Sequence, residues 1–283
     1  MFFMGRIRWA VRKILLPIKR NDLVLDVGSG GNPYTRSDIL LDRFQNSEHR
    51  GGVALVIDRV TILGDANKMP FKDKSIDFII ASHILEHMED PAVFLNELQR
   101  VGKAGYIETP NFLCERFVPC EAHTLELANI NNKIIIHKKN GPVHDPFISS
   151  LEFLNNNNKW RKLFFWRPEL FHMRYLWKDK IDFEIVNPDF FPAKTIMLTN
   201  KVDDEKAYTD NIFKNNISWR TLFNYIFYHF HKFQRTARLK KINLIDILEC
   251  PKCKGDLREG QKVLVCKQCN YEYKNDLYID FDS

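Results

Sequence analysis

The chain has 283 residues, 45% of them hydrophobic, and a formal net charge of +6. This length can bury one full domain core and leaves material for a small accessory module. No run approaches the roughly 18 consecutive apolar residues of a membrane span, and the opening residues lack the apolar core and cleavage site of a secretory signal, so we expect a cytoplasmic protein.

The first predicted element is a basic amphipathic helix over residues 1–20. Its apolar residues recur at helical spacing, its arginines occupy the other face, and Pro17 stands near its end. Two roles remain open for this helix. It can pack over the core of the following domain, which is the more common arrangement, or it can lie on an anionic membrane surface as a peripheral contact.

From residue 23 onward, short apolar runs bounded by glycine and acidic residues alternate with helical stretches. This alternation is typical of an α/β domain with a doubly wound parallel sheet, which we place at residues 21–200. The pattern predicts strands at 23–27, 39–41, 76–82 and 105–108. It predicts a helix at 91–101, with Pro91 in its first turn.

Beyond residue 110 the pattern is less regular and indicates an insertion, from about residue 112, that covers the substrate. We expect a hairpin over 125–137, an asparagine-rich turn at 155–158 and aromatic-rich segments to about residue 199. Residues 201–242 are expected to form a helical connector. Its apolar stripe from Trp219 to Ala237 is expected to be buried, and it can pack against the module formed by the residues after 242.

A glycine-rich turn follows the first predicted strand, with the pattern Asp26-x-Gly28-x-Gly30. Glycine lets the backbone approach a ligand closely and adopt positive φ angles. This pattern resembles the first motif of class I S-adenosylmethionine-dependent methyltransferases of the type 11-like group, which have a Rossmann-like sheet. The resemblance implies that Asp26, Gly28, Ser29 and Gly30 hold the amino acid part of S-adenosylmethionine.

The further motifs of that family follow in order. The resemblance implies that Asp42, at the end of the second strand, accepts hydrogen bonds from the ribose, and that Asp65 and Ala66 form the loop beside the adenine. The segment after the fourth strand also resembles the family, and it assigns Ser82 and His83 to the cofactor site.

Four cysteines form two C-x-x-C pairs with twelve residues between them, at Cys250, Cys253, Cys266 and Cys269. Four thiolates at this spacing predict a closed, structural zinc site. The segment 243–283 resembles the small zinc-ribbon partner that activates tRNA, rRNA and release-factor methyltransferases. A fused ribbon of this kind would act in cis.

Two residues are candidate general bases, namely Glu108 at the end of a predicted strand and His123 in the covering segment. The Asn-Pro-Pro-Tyr motif of the family's amine-methylating members is absent, since Thr-Pro-Asn-Phe begins at position 109. We therefore favour O-methylation of a small molecule or glycan.

Two alternative functions stay open. The first is methylation of tRNA, rRNA or protein with help from the fused ribbon, where RNA or another anionic surface would contact the basic N-terminus and segment 232–241. The second is a non-catalytic scaffold that binds S-adenosylmethionine.

Overall fold

The structure is a computed structural model that describes residues 13, 15–46, 53–118, 120, 122–140, 167–190 and 219–282. The chain divides into two compact units. One comprises Leu23–Ile76 and Met197–Ser283, and we call it the cofactor-turn unit. The other comprises Met1–Asp22 and Asp77–Ile196, and we call it the hairpin unit. The domain boundaries predicted at residues 20, 200 and 242 do not coincide with this division and stay a prediction.

The elements of the cofactor-turn unit are β1 (Val24–Val27), β2 (Ile39–Asp42), β3 (Val60–Leu63), α3 (Trp219–Leu239), α4 (Leu244–Ile247), β10 (Leu257–Glu259), β11 (Val263–Cys266), β12 (Glu272–Asn275) and β13 (Ile279–Asp280). Those of the hairpin unit are β4 (Ile76–Ser82), α1 (Pro91–Val101), β5 (Gly102–Pro110), α2 (Phe112–Phe117), β6 (Leu125–Ile130), β7 (Lys133–Lys138), β8 (His172–Lys178) and β9 (Phe183–Ile185), with short 3-10 helices at Leu85–His87 and Pro168–Leu170. None of the described helices has the length and apolar composition needed to cross a bilayer.

The cofactor-turn unit is built on a parallel core of β3, β2 and β1, in that order. Every residue of β1 and β2 is buried, as expected for strands of a parallel sheet that is covered on both faces. The fold is the Rossmann-like methyltransferase fold that the sequence predicted, with a mixed sheet. Strand β3, whose four residues include the polar Thr61, was not predicted.

The C-terminal ribbon, residues 248–282, continues this sheet. Strands β10 to β13 pair in an antiparallel manner, and β13 then pairs with β3 in parallel, with Ile279 opposite Ile62. The ribbon has a small core of its own around the fully buried Tyr273. Pairing with β13 covers an edge of β3 that would otherwise expose unpaired backbone groups.

In the hairpin unit, β5 lies between β4 and β8 and pairs with β8 in an antiparallel manner. Helix α1 has the predicted bounds, because Asp90 caps its first turn by accepting from the N–H groups of Ala92 and Val93. The predicted hairpin is confirmed as β6 and β7, and β9 adds a third strand to that sheet. The turn predicted at 155–158 lies outside the described residues.

Two predictions about helices need correction. Residues 1–12 of the predicted N-terminal helix lie outside the described residues, and residues 15–20 form turns and extended chain instead of helix. The ring of Pro17 disfavours helical geometry in the residue before it, which explains why a helix does not run through this part of the segment.

Helix α3 spans the predicted apolar stripe from Trp219 to Ala237 but presents a different face. Residues 201–218 of the predicted helical connector lie outside the described residues. Phe230 and Phe233, which were expected to be buried, are 55% and 78% exposed, whereas Arg235 and Arg238 are only 4% and 6% exposed. The side chains of residues 219–227 are outside the described set. The inward arginines find acidic and carbonyl partners in the same unit, which compensates for their burial.

The main partner is Asp38, which is completely buried in the connection between β1 and β2. Its Oδ1 accepts from Arg238 at 2.6 Å, and its Oδ2 accepts from Arg36 at 3.0 Å and from the Val24 N–H at 3.0 Å. One carboxylate thus joins the start of β1, its own loop and α3.

We expect Asp38→Ala to lower the free energy of unfolding by about 3–5 kcal/mol, because it leaves Arg36 and Arg238 buried without their counter-charge. Urea denaturation monitored by circular dichroism measures this change. Glu184→Ala, which removes the exposed ion pair with Lys133, is the matched control and should leave the midpoint nearly unchanged. A stable Asp38→Ala protein would contradict this account of α3.

Candidate active site

The turn after β1 has the backbone geometry that its glycines allow. Gly28 and Gly30 have φ angles of 69° and 54°, in the left-handed region that side chains disfavour. The N–H groups of Gly28 and Ser29 donate to the Leu41 carbonyl at 2.9 and 3.3 Å, so the turn is fixed against the end of β2. Asp26, Gly28, Ser29, Gly30 and Asp42 therefore lie together at one edge of the sheet, as predicted.

Two carboxylates hold this turn in place. Asp26 Oδ2 accepts from the Tyr34 N–H at 2.6 Å, and Asp42 Oδ2 accepts from the Gly30 N–H at 2.9 Å. Asp42 Oδ1 also accepts from the Phe44 N–H at 3.2 Å. The two acids shape the turn as well as offering acceptors.

One feature of the turn fits a ligand that lies against it, and a second fixes the turn beside residues 53–54. The Ser29 hydroxyl is buried and has no hydrogen-bond partner among the described residues, which is costly unless a ligand or solvent completes it. A Cβ on Gly31 would lie 2.2 Å from Val53 Cγ1 and 2.9 Å from the Ala54 carbonyl oxygen. Only glycine permits this close approach of segment 53–54 to the turn.

The predicted adenine-side loop follows β3. The Gly64 N–H donates to the Asp42 carbonyl at 3.0 Å, which brings the loop to the end of β2. Asp65 accepts from the Asn67 N–H at 2.8 Å in a local turn, and Ala66 is 9% exposed. Seven of the nine residues predicted for the cofactor thus belong to the cofactor-turn unit.

The other two residues, Ser82 and His83, lie in the hairpin unit. Ser82 is the last residue of β4, and His83 follows it directly. The Ser82 hydroxyl accepts from Lys13 Nζ at 2.9 Å. His83 has a φ of 58°, donates its N–H to the Glu108 carbonyl at 2.8 Å, and keeps a side chain that is 47% exposed. A left-handed backbone at a residue other than glycine is uncommon and is often found at functional sites.

Glu108, a predicted base, is fully buried within β5. Its Oε2 accepts from the Tyr106 hydroxyl at 2.5 Å, and its Oε1 lies 3.8 Å from Lys13 Nζ. The strand continues two residues beyond it, to Pro110, instead of ending there as predicted. Lys13 was missed from the sequence because it is distant from Glu108 along the chain, which leaves no local pattern. Tyr106 is two residues from Glu108 on the same strand, and the alternation of side chains along a strand could have indicated it.

His123, the other predicted base, is held by a short hydrogen bond from its Nδ1 to Glu115 Oε1. Burial lowers its pKa, but the contacts with Cys120 and Glu115 outweigh burial and raise the pKa to about 9. The ring therefore carries a proton at neutral pH in this arrangement, which argues against its acting as a general base there. Glu115 also pairs with Lys139 Nζ at 3.0 Å, and neither partner was predicted.

The four cysteines of the ribbon lie together, with all four sulfur atoms within 4.8 Å of one another. The pairs Cys250–Cys269 and Cys253–Cys266 are 3.7 and 3.4 Å apart. Burial of Cys266 raises its thiol pKa, but N–H donors from Cys269 and Gln268 outweigh burial and lower the pKa to about 6. The Gly255 N–H lowers the pKa of Cys253, but hydrogen bonds with the other cysteines outweigh it and raise the pKa to about 12. Cys266 is thus the thiolate that this arrangement favours, and a bound metal would have to displace the proton of Cys253.

Comparison with known families identifies a methyltransferase domain at residues 25–107. This interval begins in β1, contains the whole glycine turn and the loop after β3, and ends in β5. The chain therefore contains a methyltransferase domain, and this match supports S-adenosylmethionine-dependent methyl transfer as its activity.

Several solved structures are similar at low identity. A SAM-dependent methyltransferase from Aquifex aeolicus is 19% identical, with a TM-score of 0.29 over 53% of this chain and 81% of that one. A SAM-dependent methyltransferase from Methanosarcina mazei is 18% identical, with a TM-score of 0.30 over 42% and 71%. A complex that contains the Haloferax volcanii Trm112 methyltransferase activator also matches, at 19% identity and a TM-score of 0.29 over 44% and 68%. Likeness at this level carries no argument about the acceptor.

We expect Asp42→Ala to weaken S-adenosylmethionine binding roughly ten-fold or more, because a hydrogen bond to a charged group contributes about 1.5–3 kcal/mol. The substitution also removes the acceptor that fixes the Gly30 N–H. Isothermal titration calorimetry measures the affinity, and Asp73→Ala, at an exposed acid of the same unit, is the control. Unchanged affinity in a folded Asp42→Ala protein would remove Asp42 from the cofactor site.

Proposed function

We propose that this enzyme transfers the sulfonium methyl of S-adenosylmethionine to an oxygen atom of a small molecule or glycan, in the cytoplasm. The turn carries the first half of the proposal. Asp26, Gly28, Ser29 and Gly30 would hold the amino acid part of the cofactor, Asp42 the ribose, and Asp65 and Ala66 the adenine side. Ser82 and His83 stay assigned to the cofactor by their sequence motif alone.

The acceptor half of the proposal is supported mainly by a cavity of about 760 Å³ in the hairpin unit. Its volume lies within the range of small-molecule sites, roughly 300–1,000 Å³. It is lined by both polar and aromatic side chains, including Tyr106, Asn111, Phe112, Asn129 and His172. Amide groups beside aromatic rings suit an acceptor with several hydroxyl groups better than a purely apolar one.

One residue of the cavity lies next to the residue that follows β4. His172, which lines the cavity, meets the ring of His83 edge-on at a centroid distance of 5.5 Å. This neighbourhood suits an acceptor, because ligands of open α/β sheets bind beyond the carboxyl ends of the strands.

The bound cofactor supplies an electrophilic methyl group, and the transfer is an in-line displacement that depends chiefly on alignment. An alcohol acceptor also benefits from a general base. We keep Glu108 and His123 as the proposed candidates, with their roles refined. Glu108 accepts a hydrogen bond from the hydroxyl of Tyr106, which lines the cavity, and thereby orients that hydroxyl. His123 would need to lose the proton that Glu115 stabilises.

The alternatives differ in the acceptor. For methylation of RNA or protein, the favouring observation is that the ribbon is built into the sheet through β13. Against RNA, Arg235 and Arg238 of the basic segment 232–241 are buried, which leaves Lys232, Lys240 and Lys241 as its exposed cations. The second alternative, a non-catalytic scaffold that binds S-adenosylmethionine, requires that no acceptor be methylated.

We also propose that the cysteine cluster binds one structural zinc ion. Four converging sulfurs, two of them in exposed residues and two buried, fit a closed tetrahedral site. Such a site suits the reducing cytoplasm, where thiols are not consumed as disulfides. The ribbon has too small a core to be stable without the ion.

The proposed acceptor class is tested by incubating the full chain with methyl-labelled S-adenosylmethionine and fractionated cell extract. We expect the label in a small-molecule or glycan fraction, and we expect Asp42→Ala to lower it roughly ten-fold at limiting cofactor. Label in RNA that declines steeply with salt would replace this proposal with the nucleic-acid function. No label in any fraction, with cofactor binding intact, would favour the scaffold.

The zinc assignment is tested with Cys253→Ser. We expect about one zinc per wild-type chain by elemental analysis, much less in the variant, and protease sensitivity after about residue 243, since the metal supplies much of the folding energy of such a module. Cys114→Ser, at a free cysteine outside the cluster, is the control and should retain the metal. A wild-type chain with less than about half a zinc, or a ribbon that resists protease after metal removal, would exclude a structural zinc.

A further inference from the structure

A second group of metal-ligating side chains lies in the hairpin unit, apart from the cysteines. One carboxylate oxygen of Glu86 and one ring nitrogen each of His87 and His123 lie within 4.8 Å of one another. Glu86 and His87 belong to the 3-10 helix after β4, and His123 comes just before β6. The Thr124 N–H donates to the Glu86 carbonyl at 2.8 Å, which fixes the two segments side by side.

Glu86 is the most unusual member of this cluster. It is 1% exposed, and neither carboxylate oxygen has a hydrogen-bond partner of normal geometry among the described residues. Its nearest ionic neighbour is His83 Nδ1, at 3.4 Å from Oε1, and the Thr109 side chain also interacts with the carboxylate. A buried carboxylate without firm partners is costly, and coordination of a cation is one of the ways in which proteins compensate for it.

The two histidine rings are oriented as metal ligands usually are. His87 Nδ1 donates to the Ala122 carbonyl at 3.0 Å, and His123 Nδ1 donates to Glu115, which Lys139 in turn holds. With Nδ1 committed to an acceptor, Nε2 is the nitrogen of each ring that remains for a metal, and on His123 the ion would displace the proton that the ring carries without it. Metal-bound histidines typically have their other ring nitrogen fixed by a carbonyl or carboxylate in this manner.

We propose that Glu86, His87 and His123 bind one divalent first-row transition metal ion, with Glu115 and the Ala122 carbonyl as the groups that orient the rings. Two imidazoles and one carboxylate suit such ions better than Mg²⁺ or Ca²⁺, which prefer oxygen ligands alone. Three protein ligands leave a coordination position open, in contrast to the closed set of four cysteines.

A third histidine lies beside this cluster. His83 contacts the same carboxylate, is 47% exposed, and meets the cavity residue His172. The inference concerns the ion alone and does not depend on which acceptor is methylated, or on whether methyl transfer occurs.

The test uses the full chain with zinc retained at the cysteines, dialysed against increasing free Co²⁺, with bound cobalt and zinc counted by elemental analysis. We expect one ion per chain beyond the metal at the cysteines. Glu86→Gln and His123→Ala should each lower the affinity for that additional ion at least about 100-fold. Glu115→Gln should lower it about 10–100-fold, the range found for groups that orient a ligand. His137→Gln is the control, because His137 also pairs with a glutamate, at 3.1 Å, but lies outside the cluster.

A second measurement needs no variant. In the paramagnetic proton spectrum of the Co²⁺-loaded wild type, each histidine bound through Nε2 contributes one exchangeable Nδ1–H resonance outside the normal range, whereas cysteine ligands contribute none. We expect two such resonances. Fewer than two, no additional ion in the wild type, or unchanged affinity in both Glu86→Gln and His123→Ala would overturn the proposed site.

Discussion

The buried carboxylate of Asp38 is the interaction on which the cofactor-turn unit depends most. It accepts from the first residue of β1, from Arg36 in its own loop and from Arg238, which lies 200 positions further along the chain. An ionised group without solvent must be fully hydrogen-bonded, so each of these partners is constrained in turn. Because β1 leads directly into the glycine turn, the same charge helps to fix the direction in which the turn's N–H groups point.

The unit is also completed from the C-terminal end of the chain. Helix α3 contributes Arg238 to Asp38, and Tyr228 donates to Asp58 at 2.7 Å. Strand β13 pairs with β3, and the Phe281 N–H donates to the Leu63 carbonyl at 2.8 Å. Residues 219–282 thus contribute to the sheet and its packing. The cysteine cluster stabilises a structure that covers the edge of β3, which gives the proposed zinc a role in the sheet as well as in the ribbon.

The sequence predicted the features that have a strong local signal. The bounds of β4 and α1 agree with the structure because a long apolar run and a proline-initiated helix with an acidic cap are local patterns. The glycine turn and the cysteine pairs were found because fixed spacing between few residue types is informative. Strands β3, β8 and β9 were missed. The three residues of β9 are too few to show a pattern, and the alternating residues of β8 lie within an irregular segment that resembles a loop. The prediction of which face of α3 is buried was wrong, because charge pairing of Arg238 with Asp38 decides which face lies inward. Glu115, Lys139 and Lys13 were missed because their partners are distant in sequence.

The central claim is that the turn at residues 28–31, with the loop at 64–66, holds S-adenosylmethionine. Hydrogen exchange of the backbone amides in the full chain, measured by mass spectrometry with and without the cofactor, tests it most directly. Slower exchange on cofactor addition in peptides that cover residues 28–31 and 64–66, with no change in the hairpin at 125–138 of the other unit, is the result we predict. Exchange that is unaltered at saturating cofactor, or protection confined to other segments, would contradict the claim.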